Sequence, residues 1–484
     1  MSFIEVEKGK AFYCEAALDH PALVVENKVV EQAPITLGGT FTIDGGDIRL
    51  RLVRFDKIFH VPDGARLEAR TEENWVASLF DIVRMGVGRA GGGNRTSYSE
   101  NVLVNTALIG WDIWSKDDRV RRTQFRVPEA DLLLRHRPTF NGLANNPIGK
   151  APEHLAFDVP VTGGYVRIRY GASGSTDSNY PRDIWPLVEM EFDEGISLTA
   201  LRKQTITMLR FLSASASMRL SACEQTVSRL SHAEWLGQIE KGEHPHDYSV
   251  YYYEKEQERS KLSNLGRLYG AFAFLYGDEE RSAFIACLQA WFARNADWEG
   301  AASAMMDAFS FRDVMSPERL LNATKWIEAT PGVKAHPVMS EEHILALCKL
   351  VSRNAVRLGY RAISGRLRNS LRQIASEQNV QRFARLVADL KVCYGDQVVG
   401  DDLAEWVAEA FSWRGKAAHR PIIGQTEAEY ECFAKATHAA ECFAYLMLLR
   451  DLPMSHEGKK RVESAPLVEE YRFGIKGQRP RDIK

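Results

Sequence analysis

The chain has 484 residues, 45% of them hydrophobic and 26% charged, and a formal net charge of −2. That length suits two to four domains with sizeable cores, and the near-balanced charge excludes a global field pulling the chain to nucleic acid or membrane, so any such attraction must come from a local patch. The N-terminal run MSFIEVEKGKAFYCEA has no signal-peptide apolar core, and no apolar run approaches the roughly 20 residues of a membrane helix. Seven cysteines, at 14, 223, 287, 348, 393, 432 and 442 and without a CxxC, fit free thiols in a reducing, cytoplasmic compartment.

Residues 1–195 read as β-rich. The segments IRLRL at 48–52, VRIRY at 166–170 and LVEMEF at 187–192 alternate apolar and polar, which gives strands with one buried face. Turn chemistry separates them at Gly38-Gly39, Asp44-Gly45-Gly46, Asp63-Gly64 and Gly163-Gly164. The expected architecture is an antiparallel sandwich or barrel-like domain. Gly86, Gly88 and Gly91 match GxGxxG, but Gly92, Gly93 and Asn94 follow where a helix is needed, so a flexible glycine-rich loop is expected there.

From 196 to 335 the pattern is mostly helical. Ser197 opens a helix through Leu209 and Leu212. Residues 236–262 are polar and read as a linker or exposed excursion. Within it His244 and His246 lack a third donor at zinc spacing, so they read as an exposed pair and no metal or cofactor is expected. Helical periodicity resumes at Leu265 and runs to Glu328, with Trp291, Phe292, Met305, Met306 and Trp326 as core. Thr330-Pro331-Gly332 and His336-Pro337 then mark a boundary.

Residues 336–455 read as an all-α bundle. Ser340 and the acids after it start a helix, and Tyr394-Gly395 ends a later one. Asp401 or Asp402 caps the next. Its Leu403, Trp406, Val407, Ala410 and Phe411 form one buried stripe. Thr426 and Glu429 match a capping box for the last helix, which buries Tyr430, Phe433, Ala440 and Phe443 and stops before Pro453. Residues 456–484 read as a polar, poorly ordered tail. The whole is an α+β multidomain chain.

Two features carry chemistry. Arginines 353, 357, 361, 366, 368, 372, 382 and 385 form a basic run with Glu377 as its one acid, and Arg353, Arg357 and Arg361 recur every four residues on what reads as one helix face. Such a face suits phosphates as well as water. Arg414 and His419, in the segment RGKAAH, pair an always-charged guanidinium with a near-neutral imidazole. The imidazole moves protons and the guanidinium stabilises charge on a phosphorane-like transition state, so together they can cut a phosphodiester without a metal. Five residues apart on a straight helix they point about 140° apart. Convergence therefore needs a helix start, a bend at Gly415 or a second copy.

The segment FSWRGKAAHR at 411–420, an Arg-x4-His motif ahead of the final helix of a bundle, resembles the HEPN superfamily in its ApeA-like variant. LRKQTITMLRFL at 201–212 is similar to the helix closing the β-rich ApeA N-terminal domain, and AWF at 290–292 and RLLNATKWIE at 319–328 to the helical stretch after it. The resemblance covers nearly the whole chain in order. It implies a metal-independent endoribonuclease effector of bacterial anti-phage defence by abortive infection. It further implies a composite site in a homodimer or higher oligomer, an N-terminal domain that senses a phage-derived trigger or holds the nuclease inactive, and Arg414 and His419 as catalytic pair. Lys416, Arg420, Arg353, Arg357 and Arg361 are then RNA-binding candidates. The family usually has Asn, Asp or His directly after the motif Arg, where this chain has Gly415. That departure favours a rival, a non-catalytic HEPN bundle that dimerises or binds RNA or nucleotide. A carbohydrate- or peptide-binding β domain with a structural helical tail is a third class.

Overall fold

The computed structural model describes residues 10–18, 23–25, 28–30, 35–44, 47–55, 61, 63–92, 95–130, 133–134, 137–144, 155–174, 181–252, 278–312, 314–374, 377–419 and 426–474. They fall into two compact units. Met1–Asp131, Pro138–Thr205 and Ser221–Leu265 make one; Leu132–Arg137, Ile206–Leu220 and Gly266–Lys484 make the other. These limits differ from the expected boundaries at 195 and 335.

The first unit holds strands β1 (Ala11–Leu18), β2 (Leu23–Val25), β3 (Lys28–Val30), β4 (Ile35–Asp44), β5 (Asp47–Phe55), β6 (Leu67–Thr71), β7 (Val76–Gly92), β8 (Arg95–Gly110), β9 (Val120–Arg126), β10 (Leu155–Val161), β11 (Gly164–Gly174), β12 (Pro181–Ile196), β13 (Cys223–Ser228) and β14 (Tyr248–Tyr252). Helices α1 (Arg137–Ala144), α2 (Leu198–Ala216) and α3 (His232–Glu240) interrupt them. Twelve strands form one antiparallel sheet in the order β10-β11-β12-β9-β13-β14-β8-β5-β4-β1-β6-β7, and β2 pairs with β3 apart from it. Because β7 also pairs with β8, the strands β8-β5-β4-β1-β6-β7 form a closed cycle of hydrogen-bonded neighbours.

Alternation explains which faces are buried. In β5, Ile48, Leu50 and Leu52 are buried while Arg49 and Arg51 face water. They join Phe12, Phe41, Leu79 and Val104 in one core. There the Trp75 ring meets Phe12 edge-on at 5.1 Å between centroids. The β10–β11 turn depends on glycine: Gly164 has φ +155, and a Cβ there would lie 1.9 Å from the Glu191 carbonyl oxygen.

Three expectations for this unit need correction. Gly38-Gly39 lies inside β4 rather than at a turn. The GxGxxG glycines are not a loop. They run along β7, paired with β8 from Gly86 opposite Asn101 to Gly91 opposite Thr96. The polar stretch after 236 is no linker as far as Tyr252. It completes α3 and supplies β14, which pairs with β13 and β8 inside the sheet; residues 253–262 lie outside the described set. Charge pairing holds this polar segment. Arg122 of β9, 2% exposed, donates from Nη2 to both Asp247 carboxylate oxygens at 3.2 Å, and its guanidinium lies 5.1 Å from the Trp235 ring of α3.

The second unit contains the end of α2 and helices α4 (Asp278–Ser310), α5 (Pro317–Ala329), α6 (Glu341–Arg357), α7 (Ser364–Ile374), α8 (Asn379–Tyr394), α9 (Leu403–His419), α10 (Glu427–Leu449), α11 (His456–Arg461) and α12 (Pro466–Phe473). Helix α10 is central. It is buried all round from Ala436 to Leu449, so it shows no single apolar stripe, and α4, α5, α8, α9 and α12 pack on it. The packing of α5 on α9 and α10 is why no unit boundary falls near 335.

Local signals set the helix ends. Ser340 Oγ accepts from His343 N at 3.4 Å, and Thr426 Oγ1 accepts from Glu429 N at 3.2 Å. Gly395, at φ +85, stops α8. Trp291, Phe292, Met305 and Trp326 are core as expected, and Met306 is half-buried.

The expected tail also needs correction. As far as Gly474 it is folded: α12 buries Leu467, Val468 and Tyr471, and Glu470 pairs with Arg312 and, at 3.1 Å, with Arg319. The apolar residues sit at i, i+1 and i+4, a short helical stripe among charges. Among the described residues no helix is long and apolar enough to cross a membrane.

Candidate functional site

Helix α9 buries Leu403, Val407, Ala410 and Trp413 against the bundle, which leaves Arg414 at the border of that face, half-exposed. Its Nη1 donates to Glu328 Oε1 of α5 at 2.5 Å. Its guanidinium carbon stands 6.0 Å from the centroid of Phe411, three residues earlier on the same helix face. A second cation approaches the same ring. Arg382 of α8 has its guanidinium 4.4 Å from the Phe383 centroid and 5.5 Å from that of Phe411. The two rings pack together at 5.3 Å.

Charge around this pair is finely divided. Burial lowers the pKa of Arg382, the carboxylates of Glu328 and Glu377 act to raise it, and Arg385 acts against them. Glu377 is held by Arg385 through two hydrogen bonds, at 3.1 and 3.0 Å. The buried Arg382 Nε has no hydrogen-bond partner among the described residues. Lys416 is exposed and places its ammonium 4.1 Å above the Trp413 ring.

Gly415 does not break the helix. Helix α9 runs unbroken from Leu403 to His419, and a Cβ at Gly415 would meet nothing within 4 Å. His419 closes α9, about 140° round the axis and roughly 7.5 Å along it from Arg414. The His419 side chain and the whole of Arg420 lie outside the described residues.

The arginine run divides. Helix α6 ends at Arg357, Gly359 follows at φ +86, and Arg361 opens a separate 3-10 turn, Arg361–Ile363. The expected single face therefore holds for Arg353 and Arg357 but not for Arg361, because the left-handed glycine redirects the chain between them. All three are exposed, as are Arg366 and Arg368, and none of the five forms an ion pair with a described residue. The α6–α7 hairpin contains no acid between Glu342 and Glu377.

His244 and His246 are exposed, and among the described residues no three His, Cys, Asp or Glu side chains cluster in a way that could hold a metal ion. Sequence reading missed Glu328 and the partnership of Arg382 with Phe411. Glu328 lies 86 residues from Arg414, and no local pattern couples them. No known protein family, characterised protein or solved structure matches the chain.

Proposed function

We propose that the chain is a metal-independent endoribonuclease of the HEPN kind, an effector of bacterial anti-phage defence that acts in the cytoplasm by abortive infection. The observation that carries this reading is the half-exposed Arg414 on the last turns of α9, near an aromatic ring that a second guanidinium also approaches and ahead of the capped helix α10. In the proposed reaction His419 exchanges a proton with the ribose 2′-OH or the leaving oxygen. Arg414 binds the scissile phosphate and stabilises its developing charge. The 2′-OH requirement restricts the substrate to RNA. Because one straight helix spreads Arg414 and His419 apart, the working site draws on two bundles, in a homodimer or higher oligomer. Lys416, Arg420 and the arginines at 353, 357 and 361 supply phosphate contacts, and the β-rich unit receives a phage-derived trigger.

Two observations favour the rival reading, a non-catalytic HEPN bundle that binds RNA or nucleotide. Gly415 offers no polar group beside the motif Arg, and Glu328 already occupies an Arg414 donor. Purified wild-type, Arg414→Ala and His419→Ala proteins on labelled RNA, with and without EDTA, separate the two. The nuclease reading expects the His419→Ala rate to fall by about 10²–10⁴-fold, and wild-type cleavage to survive EDTA. Equal rates for wild type and His419→Ala would remove the proposed site. RNA that is bound but left intact by wild type would select the rival.

A further inference from the structure

Guanidiniums from α8 and α9 approach the Phe411 ring, and a carboxylate from α5 holds one of them. Arg414 and Arg382 both lie within 6.0 Å of its centroid. Glu328 is hydrogen-bonded to the first and acts electrostatically on the second. Two guanidiniums close to one aromatic ring, one of them already holding a carboxylate, offer an anion site whose present occupant is a side chain. We propose that Arg382 and Arg414 together bind one RNA phosphodiester over Phe411, and that Glu328 is its placeholder, released when the phosphate arrives.

The chemistry supports the exchange. A carboxylate and a phosphodiester each carry one negative charge and accept paired hydrogen bonds from a guanidinium. The Arg414–Glu328 pair is 33% and 48% exposed at its two side chains. An ion pair that open to water is weak and screened by salt, so it does not lock Arg414. Arg382 Nε is a buried donor without a hydrogen-bond partner among the described residues. A phosphate bridging both arginines would replace one charge-assisted contact by two or more.

The identity of the anion as RNA rests on the nuclease reading; the anion site itself does not. The test therefore reads binding alone, with a single-stranded 2′-O-methyl RNA oligonucleotide that cannot be cut through its 2′ oxygen. Glu328→Gln keeps the shape and removes the charge, and is expected to tighten binding about tenfold. Glu328→Ala should act in the same direction, and Glu328→Asp, which keeps the charge, should not. Arg382→Gln is expected to weaken binding several-fold in the wild-type background and to cancel the gain in the Glu328→Gln background. A Glu328→Gln protein that binds equally or more weakly would make Glu328 a brace for Arg414 and overturn the placeholder. A gain that survives Arg382→Gln would remove Arg382 from the site. If Glu328→Gln tightens binding while His419→Ala leaves cleavage unchanged, the anion site stands and the nuclease reading falls. The reverse pattern removes only this inference.

Discussion

Gly415 sits in a helix where a side chain has room, so its cost is that of backbone freedom alone. Gly415→Ala is expected to raise the stability of the helical unit by about 0.8–1 kcal/mol, read from the denaturant midpoint. A fall would mean that the position needs glycine for contact with another molecule. Arg319 is the opposite case. Its side chain is fully buried and donates to Glu441 at 2.8 and 2.7 Å, to Glu470 at 3.1 Å and to the Arg312 carbonyl at 2.7 Å. Burial disfavours its charge, yet Glu441 and Glu470 outweigh that and hold its pKa above the ordinary value. Arg319→Ala strands the Glu441 carboxylate in the core and is expected to cost about 3–5 kcal/mol in chemical denaturation. Replacing Arg319 and Glu441 together by methionine should cost much less, because no buried charge is left alone. Neither residue announced this role in the sequence. They lie 122 residues apart, and a buried ion pair leaves no periodic trace.

At the scale of elements, legibility followed periodicity and caps. Helix α6 begins after Ser340, α8 stops at Gly395 and α10 follows Thr426, all as the sequence suggested. What escaped was held by pairing rather than pattern. Strand β14 is five residues long and follows a polar run that Arg122 and Asp247 bind to the sheet. Helix α12 hides three apolar residues among charges. Of the candidate site, Arg414 could be read directly, but its partners on α5 and α8 could not, because tertiary packing alone brings them together. Truncation after Met454 removes the burial of Leu467, Val468 and Tyr471 as well as the Glu470 pair. It is expected to destabilise the helical unit by several kcal/mol, at roughly 1.5–3 for each large apolar side chain, and to lower its melting temperature. Unchanged melting would show that α12 contributes nothing net. On α6 and the turn after it, replacing Arg353, Arg357 and Arg361 together should flatten the log–log salt dependence of RNA affinity by up to about 2 units if all three touch phosphate. The loss should be the same for every RNA sequence. Because Arg361 stands beyond the Gly359 turn, the Arg353/Arg357 pair and Arg361 should contribute separately, and an unchanged slope would leave this face to solvent.

At the scale of the whole molecule, acid should act through the buried centre of the helical unit. Burial, and then the Arg319 charge, pull His438 below its ordinary 6.5; Arg312 adds to this, while Glu441 and Glu470 oppose it. The folded protein therefore keeps this imidazole neutral where the unfolded chain would protonate it. Stability from this group is fully present above about 6.5 and is lost as pH falls from there through the lower folded value. Burial pushes Glu470 up, but Arg312 and Arg319 hold it below 4.5, so its contribution disappears only at still lower pH. Denaturant midpoints at pH 8, 6 and 5 should fall in that order, and His438→Gln should flatten the first part of the decline. An equal slope in the variant would assign the loss to other groups. The sheet has a different consequence, one of time. Strands β8 and β9 are neighbours in the chain but are joined in the sheet only through β13 and β14, which are encoded after α2. During synthesis the ribosome delivers two part-sheets first, β4–β8 with β1 on one side and β9–β12 on the other. The β9 edge stays unpaired until β13 has left the exit tunnel, and the β8 edge until β14, at residue 252, has followed. Nascent chains stalled before β14 should thus be the most dependent on chaperones, and those stalled well past it should be protected from protease as one sheet.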